Sequence, residues 1–447
     1  MGTPCLTTDV TAWIRRLASL LDPRLEWRLR PLMAGLLFAT GRRTVSSWLR
    51  AAALGDDYQN YYYFVAALGR KVKTLAAVVL RIAVDVIAPA QRILLAIDDT
   101  PTKRYGPKVE GAGIHHNPTP GPAGAAFLYG HVWVTLAWVV RHPRWGAIGL
   151  PLLACLYVRQ KDLDAQNLTF WRNVIFRTKL AMAGELLTWA AAWLKALDRT
   201  LWVVADGAYA KTPFLRAAAA AGIIVVSRLR KDAALWDVPT PVPAGQRRRG
   251  RPRIYGAQAI SLAKRAGQTR GWQTATFELY GVAVRKRYKT FLATYRPAGG
   301  LIRVVLVQED DRTWRAYFCT QAGACVAAIL EAVADRAALE QVFHDVKEVH
   351  GVGEAQTRNY WSNVAVYHLK LWWHTLIEVW AWHRTDAELV DRRLSPWDDA
   401  ERRPSHADKR NALRRQCLEA EFRAGTAGGP IPRKIQRLWR RVVKLVA

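Results

Sequence analysis

The stretch Arg92-Ile93-Leu94-Leu95-Ala96-Ile97-Asp98-Asp99-Thr100 sets how the rest of the chain is read. An unbroken apolar run of this length is the pattern of a central strand covered on both faces, where no alternation with polar residues is needed. It ends in carboxylates, and strand ends are where an α/β sheet presents functional side chains on a fixed backbone. Leu201-Trp202-Val203-Val204-Ala205 repeats the pattern and ends in Asp206-Gly207. Ile223 to Ser227 is a third such run. Strand-like runs from Val132 to Val140 and from Gly149 to Val158, and a helical pattern from Arg177 to Leu197, lie between the first two. A meander followed by strands with helical crossovers predicts an α/β layer fold.

Working outward, residues 10 to 90 read as helical: apolar positions recur at helical spacing, and turns are confined to Asp22-Pro23 and Gly41. Gly41-Arg42-Arg43-Thr44-Val45-Ser46-Ser47-Trp48-Leu49-Arg50 has the form of a turn entering a helix with a basic, hydroxyl-rich start. A helix-turn-helix reader of DNA that uses Arg42 and Arg43 has that form, and so has a plain packed helix pair. Downstream, residues 231 to 320 break the α/β rhythm. Prolines at 239, 241 and 243 lead into the charged loop Arg247 to Arg253. Strands are then expected near Thr274 to Val284, Tyr288 to Tyr295, Ile302 to Val307 and Trp314 to Cys319, a β-rich insertion. Within the loop, Arg249-Gly250-Arg251-Pro252 resembles the core of a minor-groove AT-hook, with a flexible basic loop as the alternative. Helix returns from about Ala324 to His383, before a basic tail. The expected division is 1–90 helical and DNA-binding, 91–230 and 321–385 the two parts of a catalytic core, 231–320 the insertion, and 386–447 the tail.

With 51% hydrophobic residues in 447, the chain has ample material for a core and is not a disordered polycation. Sixty-six Lys and Arg against thirty-six Asp and Glu give +30 and a pI near 10.4, a field that attracts a polyanion such as nucleic acid. The apolar stretch Phe127 to Val140 is too short to span a bilayer, and the N-terminus lacks a basic head followed by an apolar segment. Neither membrane insertion nor secretion is expected, and the expected location is the bacterial cytoplasm, associated with the nucleoid. Five scattered cysteines without a CxxC pair suit a reducing compartment and give no support for a structural zinc site.

One Asp after a strand is commonly a turn residue or a helix cap. A third element raises its interest. In the expected helix Ala332 to Val349, Arg336, Glu340 and Lys347 project within about 40° of one another, beside an apolar face of Leu339, Val342, Val346 and Val349. Ordinary i,i+4 ion pairing on a solvated face produces the same Arg-x3-Glu. Other candidates are His115-His116-Asn117-Pro118, either a strained turn or plain surface, and the tryptophans Trp361, Trp372, Trp373, Trp380 and Trp382, expected mostly in the core.

The spacing R-x3-E-x6-K at Arg336, Glu340 and Lys347 resembles the signature Y-x2-R-x3-E-x6-K of one large group of bacterial insertion-sequence transposases of the DDE superfamily. Val333 stands at the Tyr position, a departure that removes one DNA contact. Ala96-Ile97-Asp98-Asp99-Thr100 with Lys103 and Gly106, Val203 to Tyr209, and Gly113 to Pro118 with Tyr129-Gly130-His131 resemble further segments of that family, in its order, over roughly residues 30 to 415. The resemblance implies a ribonuclease H-like core with a helical N-terminal domain and a β-rich insertion before the Glu-bearing helix. It implies that Asp98, Asp206 and Glu340 are catalytic and hold two Mg²⁺ ions, with Mn²⁺ as a substitute and Asp99 as the rival to Asp98. Arg336, Lys347, Lys103 and Arg104 would contact phosphates. The implied partners are double-stranded DNA, as terminal inverted repeats and target, and a second copy of the chain on that DNA. A DNA-binding homologue without cleavage and a metal-dependent nuclease without strand joining remain the alternatives. A basic packaging protein does not explain the carboxylates after the strands.

Overall fold

The apolar runs form the middle of one twelve-stranded mixed sheet in a computed structural model, which describes residues 3–117, 124–240, 253–310, 313–392 and 397–425 with isolated positions from 432 onward. Its first half comprises β1 (Arg92–Lys103), β2 (Gly113–His116), β3 (Phe127–His142), β4 (Gly146–Tyr157), β5 (Thr200–Ala205) and β6 (Ile224–Leu229). β3 runs antiparallel to β1 on one side and to β2 and β4 on the other, the expected meander, while β1, β5 and β6 are parallel neighbours. Ile93 to Ile97 and Leu201 to Ala205 are buried throughout, which is why neither run alternates.

The second half comprises β7 (Leu235–Trp236), β8 (Ala259–Ile260), β9 (Gln273–Leu279), β10 (Val282–Tyr295), β11 (Gly300–Gln308) and β12 (Trp314–Cys319). β12 pairs antiparallel with β6, so the strands after residue 231 extend the same sheet. The single strand expected near Thr274 to Val284 is a hairpin: Tyr280 and Gly281 both take positive φ, and β9 folds back on β10.

At the N-terminus lie α1 (Thr8–Ala18), α2 (Leu29–Phe38), α3 (Val45–Ala51), α4 (Tyr58–Arg70) and α5 (Val72–Val86). The crossover from β4 to β5 carries α6 (Lys179–Leu194), and that from β5 to β6 carries α7 (Thr212–Ala220). Beyond the sheet come α8 (Val326–Asp335), α9 (Ala337–Glu348), α10 (Tyr360–Ala381) and α11 (His406–Gly425). The helix expected from Ala332 is divided at Arg336, which closes α8 and opens α9.

α10 is the centre of the helical layer, and every residue in it but Trp361 is buried. It packs on β4, on the N-terminal helices α4 and α5, and on α11. Of the expected core tryptophans, Trp372, Trp373 and Trp380 are buried here; Trp372 donates to the Leu152 carbonyl at 2.8 Å and Trp373 to the Met33 carbonyl at 3.1 Å, while the Trp380 indole nitrogen has no hydrogen-bond partner among the described residues. α9 lies against β4 at a point that requires glycine. A Cβ on Gly149 would stand 2.7 Å from Val342 Cγ2 and 2.9 Å from the Ala338 carbonyl oxygen. Contact that close brings the helix bearing Glu340 down onto the sheet. No helix among the described residues is long and apolar enough to cross a membrane.

Candidate active site

Hydrogen bonding between β1 and β5 ends at Ile97 with Ala205, so Asp98 and Asp206 directly follow a matched pair on adjacent parallel strands. β1 itself does not stop there, as the sequence pattern had suggested. Its pairing with β3 continues through Asp98 and Asp99 to Lys103 opposite Gly130. Asp206 leaves the sheet and caps a single 3-10 turn, Gly207–Tyr209, while Ser227 Oγ of β6 donates to its carbonyl at 3.2 Å.

Arg336 joins this pair to α9. Its Nη1 donates to Asp98 Oδ2 at 2.8 Å and its Nη2 to Glu340 Oε1 at 2.6 Å. The i,i+4 ion pair on the helix therefore exists, and it also reaches across to the sheet. Two carboxylates are held by one guanidinium in a charge-assisted bridge. Asp98 is largely covered, with 22% of its side chain exposed, whereas Glu340 is 58% exposed. Burial pushes the Asp98 carboxyl up to about 6; Arg336 opposes that rise, and the carboxylates of Asp99 and Asp206 add to it.

Successive strand residues point to opposite faces, and Asp99 faces the α6 side. Lys179 Nζ approaches Asp99 Oδ2 at 2.7 Å, and the Tyr209 hydroxyl donates to Asp99 Oδ1 at 3.0 Å. The Tyr209 hydroxyl is pushed far up by burial and by Asp99 and Asp98, so it remains a proton donor.

The expected phosphate contacts differ in their surroundings. Lys103 is exposed at the end of β1. Lys347 is half-buried on α9, and burial lowers its pKa. Arg104, expected to contact a phosphate, is only 4% exposed at the edge of a basic cleft, and its hydrogen bonds go to protein groups. Its Nε donates to His131 Nδ1 at 3.0 Å and its Nη1 to the Ala355 carbonyl at 2.9 Å. Arg43 is engaged with Glu354 at 2.8 Å, and Arg42 is exposed. α3, entered from the turn at Gly41 and capped by Thr44, buries Val45, Ser47, Trp48 and Leu49. Arg249 and Arg251 lie outside the described residues.

Two basic clefts escaped the sequence reading. Asp206 lies on the rim of a cavity of about 450 Å³ with Arg228, Arg230, Lys231 and Arg315. Arg42, Lys108 and Arg358 line another of about 530 Å³. Arg42 and Arg104 of the second cleft are among the expected DNA contacts; the other members are scattered along the chain, with Arg228-Leu229-Arg230-Lys231 after the third apolar run as a further local signal.

A family model described as DDE superfamily endonuclease matches residues 17–290, and its match stops before Glu340. Among solved structures, a cryo-EM structure of the piggyBac transposase synaptic complex with hairpin DNA is similar at a TM-score of 0.36 and 8% sequence identity. The likeness covers 80% of this chain and 58% of that one, so the chain spans less than two thirds of that transposase. No curated protein matches the sequence.

Proposed function

Because the chain belongs to the DDE superfamily endonuclease family, we propose that it is a DNA transposase that hydrolyses phosphodiester bonds at insertion-sequence ends and joins the freed ends to target DNA. The observation that carries this reading is the bridge from Asp98 through Arg336 to Glu340, beside Asp206 on the neighbouring strand. The order β4-β3-β1-β5-β6, antiparallel and then parallel, is read as a ribonuclease H-like core. Residues 1–90 would be the DNA-binding domain, 231–320 the insertion that widens the sheet, and 386–447 a basic tail.

Asp98, Asp206 and Glu340 would hold a pair of divalent cations, Mg²⁺ by preference. Two features support the fit. The donors are all carboxylate oxygens, which suit a hard cation. Burial raises the Asp98 pKa and the carboxylates of Asp99 and Asp206 add to the rise, a cost that a bound cation would relieve, and Arg336 already supplies a positive charge there. When bound, such ions activate the attacking oxygen and stabilise the leaving one. The remaining work falls to the chain itself. Arg336, released from its carboxylates, would contact a phosphate beside the scissile bond. Lys103, Lys347 and the cations of the Asp206 cleft hold the flanking phosphates and set the register of the duplex. Water attacks in the first step and the freed 3′-hydroxyl in the second, with two copies of the chain on the DNA.

The test uses the purified chain with Mg²⁺ and a labelled duplex carrying the inverted repeats that flank its gene. The wild type should cleave and join, while Glu340→Gln should bind the duplex nearly as well and cleave none of it. Cleavage by that variant at the wild-type rate refutes the assignment. Cleavage without joining by the wild type leaves a nuclease.

A further inference from the structure

We propose that Asp345, His374 and His406 form a second metal site, of the zinc type, that clamps the Glu340-bearing helix α9 to α10 and α11. All three are buried, and each offers one ligand atom such that the three lie within 4.8 Å of one another. Two imidazoles and one carboxylate are a ligand set for a divalent transition ion, and the fourth position is left for water or another donor.

Local geometry points the same way. His374 Nε2 stands 3.4 Å from Asp345 Oδ2, long for a hydrogen bond. Two ligand atoms on a tetrahedral Zn²⁺, each about 2.0–2.1 Å from the ion, stand roughly 3.3 Å apart. His374 Nδ1 is buried with no hydrogen-bond partner among the described residues, a polar atom that the protein leaves unsatisfied. His406 Nδ1 lies 2.7 Å from Glu378 Oε1, the carboxylate support that orients a ligating imidazole and leaves Nε2 with its lone pair. Lys409 Nζ holds the other Glu378 oxygen at 2.5 Å. His406 Nε2 is hydrogen-bonded to His350 Nε2 at 2.8 Å, a contact that an ion on His406 would have to replace. His374 and His406 stack at 4.0 Å between ring centroids, so one ring has to turn to bring both lone pairs onto a common ion.

Charge balance also calls for a cation. Asp345 and Glu378 are both buried; Lys409 pairs with Glu378, while Asp345 meets Gln341 and the imidazoles of His344 and His374, which offset its charge only when protonated. Arg402 and Arg403 line the same cavity of about 250 Å³, but Arg402 pairs with Asp398 and Asp408, and Arg403 donates to the Trp145 carbonyl. That cavity gives an ion and its water a way in.

The site is independent of the carboxylates assigned to cleavage, and so is its test. Full-length protein is stripped with a chelator, loaded with Zn²⁺, desalted, and assayed for bound metal, with Co²⁺ as the optical reporter. Wild type and Glu340→Gln should each retain one equivalent and give the visible band of a tetrahedral Co²⁺ site. His374→Gln and Asp345→Asn should lose both, and Glu378→Gln should weaken Zn²⁺ affinity roughly 10–100-fold. Should the ligand variants fail to fold, thermal melts of the wild type with and without Zn²⁺ decide, because binding to the native state raises the midpoint. A wild type that retains no equivalent and shows no thermal shift overturns the proposal. So does His374→Gln retaining the same equivalent as the wild type. Either result makes the cluster a hydrogen-bonded histidine–carboxylate network without an ion.

Discussion

Asp98→Asn removes a charge that the fold holds at a cost, and the structure gives its size. The Asp98 pKa rises from 3.8 to about 6, chiefly through burial. At about 1.4 kcal/mol for each tenfold change in proton affinity, that is about 3 kcal/mol of native-state destabilisation once the group is ionised. That net shift already includes the favourable pull of Arg336, and partial exposure of the side chain reduces the expected gain to about 1–3 kcal/mol. A carboxyl with a raised native pKa binds its proton more tightly when folded, so stability falls as pH rises from about 4 to about 6 and is level above that. The metal-free Asn variant should therefore match the wild type near pH 4 and be more stable at pH 8. With an unfolding entropy of about 2.1 cal mol⁻¹ K⁻¹ per residue, a chain of this length gains roughly 1–3 °C in midpoint. Adding Mg²⁺ at pH 8 should stabilise the wild type and leave the variant unmoved, so that the two melting curves approach or cross. The assay is a pair of calorimetric or fluorescence melts over a pH series, with and without the ion. A variant less stable than the wild type at pH 8 without metal refutes the reasoning, since Asp98 would then contribute more through Arg336 than it costs through burial.

Arg104→Ala strands the ring nitrogen of His131 and the Ala355 carbonyl inside the protein and should cost about 2–4 kcal/mol of stability, read by denaturant titration. DNA affinity per folded molecule should stay unchanged in a gel shift, against the phosphate role the sequence had suggested. Gly149→Ala pushes its new methyl into Val342 and the Ala338 carbonyl, with an expected loss of about 1–3 kcal/mol. Because the displaced helix carries Glu340, cleavage should fall by more than DNA binding does.

What could be read from the sequence was what depends on local pattern. β1, β5 and β6 were legible because strands covered on both faces leave continuous apolar runs, and Asp98 and Asp206 because they are the first polar residues after two of them. Arg336 and Glu340 stood out through their spacing on one helix. Continuation of β1 beyond Asp98 was hidden, since its later residues pair with β3 alone. The hairpin at Tyr280-Gly281 was hidden because β9 and β10 share one polar–apolar texture. The burial of Arg104 depends on the Ala355 carbonyl, far along the chain. Asp345, His374 and His406 come together only when three helices pack, so no ligand spacing marks them, although His374 within an apolar helix is the sort of buried polar residue that invites a search for its partner.

The position of α10 has a consequence for how the protein is made. Gly69 of α4 touches its backbone so closely that a Cβ would lie 2.0 Å from the Trp361 carbonyl oxygen, and Trp373 is anchored on Met33. The N-terminal helices thus complete their packing against a segment that leaves the ribosome some 290 residues later, a delay of roughly 15–60 s at typical synthesis rates. During that interval the faces that α10 covers lack that partner, although the helices also pack on one another and on β4, so the yield of native protein should depend on chaperone capacity. A fragment limited to residues 1–90 should aggregate when expressed alone, and its failure to bind DNA would say nothing about the helices in the complete protein.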